Sequence, residues 1–241
     1  GYPYYVGGVF DEREKLICTP TGVIRDPNFF MNAKAIKALN NTEATEIDVD
    51  GKKVHFRNLV SGEEGIEEYD KLIIATGARP KMPPIKGIDL DGITTLQSLS
   101  DADYLRKVRD EGKIKKAVVV GGGLIGLETC EALQLAGIEI TVVEMMDQIL
   151  MFMDWQLAKI LENNIKNWAA NVVTNNAVAE FLGKDGKLTG VKLANGTELP
   201  CELAVIAIGV SPNIDLAKSA GIEIGETGGI LVDDHMQTSI P

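Results

Sequence analysis

A chain of 241 residues that is 45% hydrophobic can bury a core, and its length allows one large domain or two small ones. The net charge of −11 excludes a broad basic face for nucleic acid or an anionic membrane, while single basic residues stay able to meet a phosphate. No apolar run reaches the roughly 18 residues of a membrane span and no signal-peptide pattern opens the chain, so a soluble, cytoplasmic protein is expected.

After the aromatic opening G-Y-P-Y-Y-V-G-G, the segments Ala44 to Asp50 and Val54 to Arg57 read as a strand pair with Asp50-Gly51 as its turn. Leu72 to Ala75 reads as a third strand, and the intervening E-E-G-I-E-E as a solvated loop. Pro80, Pro83, Pro84 and Gly87 mark a linker, because proline withholds a ladder donor, and a domain boundary is expected near Gly92. Ser100 with Asp103 predicts a capped helix start, the helix running through Arg109 and closing at Gly112.

Next comes K-K-A-V-V-V-G-G-G-L-I-G-L-E-T-C-E-A-L-Q-L-A-G-I-E-I-T-V-V-E. Ala117 to Val120 is a β-branched run suited to a buried parallel strand, and Leu124 to Ala136 has helical spacing at Leu127, Cys130 and Leu133. Between them Gly121 permits a tight turn, Gly123 a close approach of backbone to a pyrophosphate, and Gly126 close packing of helix on strand. A pyrophosphate over Gly121, Gly122, Gly123, Leu124, Ile125 and Gly126 would meet the free N–H groups of the helix start. A second strand, Ile138 to Val143, ends at Glu144, 18 residues past Gly126, where a carboxylate can accept hydrogen bonds from an adenine ribose. Glu144 would repel a 2′-phosphate and Met145, Met146 and Asp147 bring no arginine, so NAD is favoured over NADP.

The methionine-rich M-M-D-Q-I-L-M-F-M reads as adaptable core filler rather than a metal or partner site. Leu157, Ile160, Leu161, Ile165 and Trp168 fit one face of a helix. Asn176 to Leu182, Leu188 to Leu193 and Leu199 to Ile208 read as strands, with turns at K-D-G-K and A-N-G-T. Strand, D-G turn, strand, gap, and a strand ending in A-x-G-x-x-P is also the order from Ala44 to Pro80, so the chain holds equivalent parts of two nucleotide-binding units. The second glycine loop precedes its A-x-G-x-x-P by 86 residues, Gly121 to Ala207; the same count back from Ala75 falls before Gly1, where the first unit's glycine loop is expected.

The blocks A-T-G-A-R-P, V-V-V-G-G-G-L-I-G-L-E, A-I-G-V-S-P-N and G-I-L-V-D-D-H-M-Q-T-S-I-P together resemble the FAD-dependent pyridine nucleotide-disulfide oxidoreductases. The resemblance implies an α/β fold: a three-layer Rossmann-like NAD-binding domain with a β-meander over residues 94–231, an incomplete FAD-domain portion over 1–93, and a return to the FAD domain at 232–241. It implies that Ala75, Thr76, Gly77 and Ala78 pass near FAD, that backbone at Ala44 touches its adenine, that Gly209 borders the nicotinamide, and that Glu128 sits where nicotinamide approaches the flavin. The opening residues resemble the subgroup of coenzyme A disulfide reductase, NADH oxidase and NADH peroxidase, whose single redox cysteine would stand directly before Gly1.

The expected activity is transfer of hydride from NADH to FAD and onward to a disulfide, persulfide or peroxide, in a longer protein that dimerises through a further domain. The alternatives are reduction of an electron-carrier protein such as rubredoxin or ferredoxin, a non-catalytic NAD-binding redox sensor, and an ordinary Rossmann dehydrogenase, against which the doubled meander counts. Cys18, Cys130 and Cys201 are spaced as packed thiols with no C-x-x-C, which disfavours the thioredoxin reductase branch. His55 and His235 have no nucleophile or ligand cluster beside them, and no metal is expected.

Overall fold

A computed structural model describes residues 1–167 and 170–241. In chain order it runs α1 (Tyr2–Gly7), α2 (Pro27–Lys34), β1 (Thr42–Asp48), β2 (Lys53–Asn58), β3 (Glu64–Glu68), β4 (Ala78–Pro80) and β5 (Ile93–Thr94). There follow α3 (Leu99–Glu111), β6 (Lys116–Val120), α4 (Leu124–Gln134), β7 (Glu139–Val143), α5 (Trp155–Asn167) and β8 (Ala170–Val173). The remainder is β9 (Val178–Lys184), β10 (Lys187–Leu193), β11 (Glu198–Pro200), β12 (Leu203–Ile206), β13 (Val210–Pro212) and α6 (Asp215–Ser219). Among the described residues no helix is long and apolar enough to cross a membrane.

Two compact units emerge, one of Gly1–Leu16 with Pro80–Val210 and one of Ile17–Arg79 with Ser211–Pro241. In the first, a parallel sheet in the order β5-β12-β6-β7-β8 is sandwiched as the sequence predicts. Side chains of a strand alternate between faces. Ala117, Val119, Leu203 and Val205 therefore join the core beneath α1, α3 and α4, while Val118, Val120, Ala204 and Ile206 join the core beneath the β9-β10-β11 meander. Burial on both faces is why these strands are apolar throughout, each buried valine contributing on the order of 1.5–3 kcal/mol.

The unit boundaries differ from those expected at 93 and 231. The opening residues form a helix whose Val6 is fully buried in the core with Leu105 and Leu133. The proline-rich segment packs Ile85, Ile88 and Leu90 on the meander, with the Phe181 N–H donating to the Lys86 carbonyl. Residues 211–231 go instead with the second unit, where Ala217 and Ile222 are buried.

The second unit holds the β1-β2-β3 antiparallel meander and the helices α2 and α6. Its third strand is not Leu72–Ala75, which lies outside any strand, but β3, from the stretch expected to be a loop. The glutamates there answer cations: Glu68 lies 3.5 Å from Lys53, its cross-strand partner, and Glu67 pairs with Lys37. Such charges suit an exposed sheet edge. Gly65 also leaves room for the Phe56 ring, which any Cβ there would strike.

Three further expectations change. The capping box of α3 is Ser98 with Asp101, two residues before the expected pair: the Asp101 N–H donates to Ser98 Oγ at 3.1 Å and the Ser98 N–H to Asp101 Oδ2 at 3.0 Å. Asp103 instead accepts from the Tyr5 hydroxyl at 3.1 Å. On α5 the fully inward residues are Ala158 and Glu162, whereas Leu157 and Ile160 are exposed; Trp168 lies outside the described residues. The expected strand Leu199 to Ile208 is split, β11 closing the meander and β12 entering the parallel sheet.

Candidate functional site

The carboxyl ends of the parallel strands open into a cleft of about 650 Å³ within the first unit. Sheet order sets its layout, with Thr95–Gln97 after β5, then Ala207–Val210 after β12, Gly121–Ile125 after β6, and Glu144 with Met145 after β7. Open α/β sheets take ligands at this edge. Glu144 is the one charged residue among the described residues lining the cleft.

The glycines shape the floor in distinct ways. Gly121 has φ +111°, and a Cβ there would strike the Ala207 carbonyl oxygen. At Gly126 a Cβ would strike the carbonyl of Gly121, so α4 can start this close to the turn only without one. Gly122 is hemmed by Ile149 Cγ2, 2.8 Å from where its Cβ would be. Gly123 alone of the four faces open space, and as N-cap of α4 it supplies no side chain to the first-turn N–H groups. Those donors and the positive helix end stay available to an anion. Leu124 and Ile125 stand exposed at 58% and 46% on the cleft wall.

The backbone holds Glu144 in place. The Gly122 N–H donates to Oε2 at 2.7 Å and the Met146 N–H to Oε1 at 2.9 Å. A carboxylate oxygen has two acceptor positions, so each oxygen of Glu144 keeps one for a further donor. Gly209, with φ +99° and open space around its α-carbon, lines the same cleft beyond the glycine loop. The structure thus brings Gly121, Gly123, Leu124, Ile125, Glu144 and Gly209 to one cleft. Glu128 lies apart from it, exposed on α4 and lining a smaller cleft of about 300 Å³ with Leu150 and Leu161.

In the second unit Ala44 is exposed at a bulge of β1, and Ala75, Thr76 and Gly77 form an exposed, irregular segment that enters β4 at Ala78. Asn213 fixes that segment: its N–H donates to the Gly77 carbonyl at 2.9 Å and its Nδ2 to the Thr76 carbonyl at 2.9 Å. The ends of the two A-x-G-x-x-P stretches, β4 and β13, pair with each other in a two-stranded ribbon.

Residues between Met145 and Met153 escape the sequence reading. Met145, Met146, Met151 and Phe152 are exposed, not core filler; Ile149 and Leu150 are the buried ones. Met145 and Phe152 line the main cleft. The available signal is Gln148, a polar residue between apolar ones, which proves buried and hydrogen-bonded to the loop backbone.

Burial, with a smaller contribution from Glu131, pushes the Cys130 thiol up to about 11; burial with Glu202 pushes Cys201 up to about 12. Neither is a thiolate near neutral pH, so neither is a nucleophile. Cys18 is half-buried in the second unit. His55 lies in β2 opposite Ile66, and His235 is exposed 3.9 Å from Asp233.

The family model for pyridine nucleotide-disulphide oxidoreductases matches residues 12–241. An NADH oxidase of Methanocaldococcus jannaschii is 35% identical over 241 residues, covering 99% of this chain and 51% of that protein. A CoA-dependent NAD(P)H sulfur oxidoreductase of Pyrococcus abyssi is 34% identical over 100% of this chain and 51% of its own length. Among solved structures, a NAD-dependent persulfide reductase from A. fulgidus matches with a TM-score of 0.94 at 43% identity, over 99% of this chain and 44% of that one. The chain spans about half the length of the curated relatives it matches. Matching in sequence from residue 12 to its last residue, and in fold over both units, the chain belongs to the pyridine nucleotide-disulphide oxidoreductase family.

Proposed function

We propose that the first unit binds NADH and that, in the longer protein, hydride passes from NADH to FAD and electrons continue to a disulfide, persulfide or peroxide. The observation that carries this reading is a glycine floor whose one open glycine, Gly123, starts an uncapped helix beside a carboxylate already oriented by Gly122. Backbone N–H groups from Gly123 to Gly126 are aimed to hold the pyrophosphate. Glu144 accepts the adenine ribose hydroxyls with its two remaining acceptor positions and repels a 2′-phosphate, with no cation among the described cleft-lining residues to offset it. The sheet order then directs the nicotinamide toward Ile208 and Gly209, past β12. Glu128 lies outside this cleft, and its assignment to the nicotinamide end rests on the family pattern alone.

Ala44 and Ala75–Ala78 are assigned to FAD on the same pattern. Gly77, with φ +68° and open space, lets backbone approach a flat ligand, and Asn213 keeps that backbone fixed. FAD, when bound, supplies an acceptor for hydride and a donor of electrons. On the resemblance of the opening residues to the single-cysteine subgroup, the redox thiol is assigned to a cysteine directly preceding Gly1 in the longer protein; Cys130 and Cys201 are buried and Cys18 is half-buried.

The test is anaerobic mixing of the full-length protein with NADH, following flavin absorbance, then addition of a coenzyme A persulfide or disulfide. Bleaching by NADH and recovery with the sulfur compound is the expected result. Recovery only with a ferredoxin or rubredoxin would move the reading to carrier reduction, and no bleaching would overturn it.

A further inference from the structure

The two A-x-G-x-x-P stretches are followed by different residues, Lys81 after the first and Asn213 after the second. Both make the same backbone bond. In the first unit the Lys81 N–H donates to the Gly209 carbonyl at 3.0 Å, and in the second the Asn213 N–H donates to the Gly77 carbonyl at 2.9 Å. Lys81 is exposed and brings no amide, so this backbone bond needs no side chain to support it. Asn213 adds two bonds beyond it: Nδ2 donates to the Thr76 carbonyl at 2.9 Å, and the Asn213 carbonyl accepts from Thr76 Oγ1 at 2.5 Å. Arginine only donates, so Arg79 Nη1, 3.3 Å from Asn213 Oδ1, keeps the amide turned with its NH₂ toward Thr76. Asp215 holds Arg79 in turn at 3.1 Å, through an exposed pair that is weak by itself.

These bonds act where packing does not. Ala75, Thr76 and Gly77 are exposed, and Gly77, at φ +68°, has nothing within 4 Å of where a Cβ would stand. A glycine in open space has the most conformational freedom to lose, and fixing it in advance lowers the ordering cost that a ligand would otherwise meet. Resting on the reading that assigns Ala75–Ala78 to FAD, we propose that Asn213 is a positioning residue that sets how tightly FAD is retained, with Thr76 as its reciprocal partner. The Thr76 hydroxyl is engaged with Asn213, so what this segment offers the cofactor is backbone held in one conformation.

Two measurements on the full-length protein stripped of flavin test this: titration with FAD, and the hydrogen-exchange protection of the residue-213 amide, which reads the bond to Gly77. Asn213→Asp is nearly isosteric, keeps an oxygen facing Arg79 and loses the donation to Thr76. It should lower the protection and weaken FAD about fivefold, the net value of one hydrogen bond. Thr76→Val should weaken FAD to a similar extent, and Thr76→Ser, which restores the hydroxyl, should recover most of that loss. Neither side chain lies in the core, so these changes leave the fold intact. Weaker FAD with unchanged protection would mean that Asn213 touches the cofactor itself and would overturn the positioning role, as would no change in either quantity. Failure of the underlying reading looks different: protection would fall in Asn213→Asp while FAD affinity stayed the same, which removes Thr76 and Gly77 from the FAD site and overturns the proposal with it.

Discussion

Leu203–Ile206 and Leu72–Ala75 have the same sequence design, an apolar run after a meander leading into A-x-G-x-x-P, yet only one is a strand. Val205 is fully buried between β5 and β6, whereas Ile73 is 90% exposed and, among the described residues, has no strand beside it. The buried apolar residues of the second unit are Ile47, Ala217 and Ile222; nearly all the rest of the core lies in the first. The pattern of a strand records the neighbours it is built for, and the strand forms where those neighbours are present.

The largest effect that could break this comparison comes from one charge placed at each equivalent position. Val205→Asp should cost more than about 4 kcal/mol and unfold the first unit, because a carboxylate would be buried without a partner. Ile73→Asp should change stability by less than about 0.5 kcal/mol, its side chain being in water already. Urea unfolding followed by circular dichroism measures both, and equal losses would mean that Leu72–Ala75 is as structural as β12.

A smaller effect sharpens the contrast through charge. Burial raises the Glu162 carboxyl, and hydrogen bonds and charge from Lys159 and Lys166, both at 2.7 Å, more than offset it, holding the group below the usual carboxylate range. A depressed folded value means that the ion triad stabilises above the unfolded pKa and that this contribution is lost as pH falls through the folded one. Glu162→Gln should therefore destabilise the chain at pH 7, with the difference from the parent shrinking as pH drops below about 4.3. Glu67→Gln, which removes the exposed partner of Lys37 in the second unit, should be near neutral at every pH. Denaturation midpoints between pH 3 and 7 check the pair, and a Glu162→Gln difference independent of pH would contradict the assignment.

Much of the first unit was legible because its signals are local. The run Ala117–Val120 with Gly121, Gly123 and Gly126 already specifies a strand, a turn and a helix start, since Gly121 and Gly126 answer steric demands and Gly123 leaves the helix start open. The third strand of the first meander was not legible: Glu64, Glu67 and Glu68 read as solvated until Lys53 and Lys37 are seen to pair with Glu68 and Glu67. The Ser98 cap was missed because S-x-x-D occurs twice in S-L-S-D-A-D, and the choice turns on Thr95 and Gln97, which also donate to Asp101. Phe152 was missed for a related reason. Methionine and phenylalanine look like core in sequence, and only the hydrogen bonds of Gln148 and Leu150 turn them outward at the cleft.

The central claim is that Glu144 and the glycine floor make an NADH site, and calorimetric titration of the 241-residue chain with NADH and NADPH tests it most directly. Saturable NADH binding, with NADPH weaker by roughly tenfold or more and the gap narrowed in Glu144→Ala, is the predicted result. Equal affinity for the two nucleotides in the unmodified chain would contradict it.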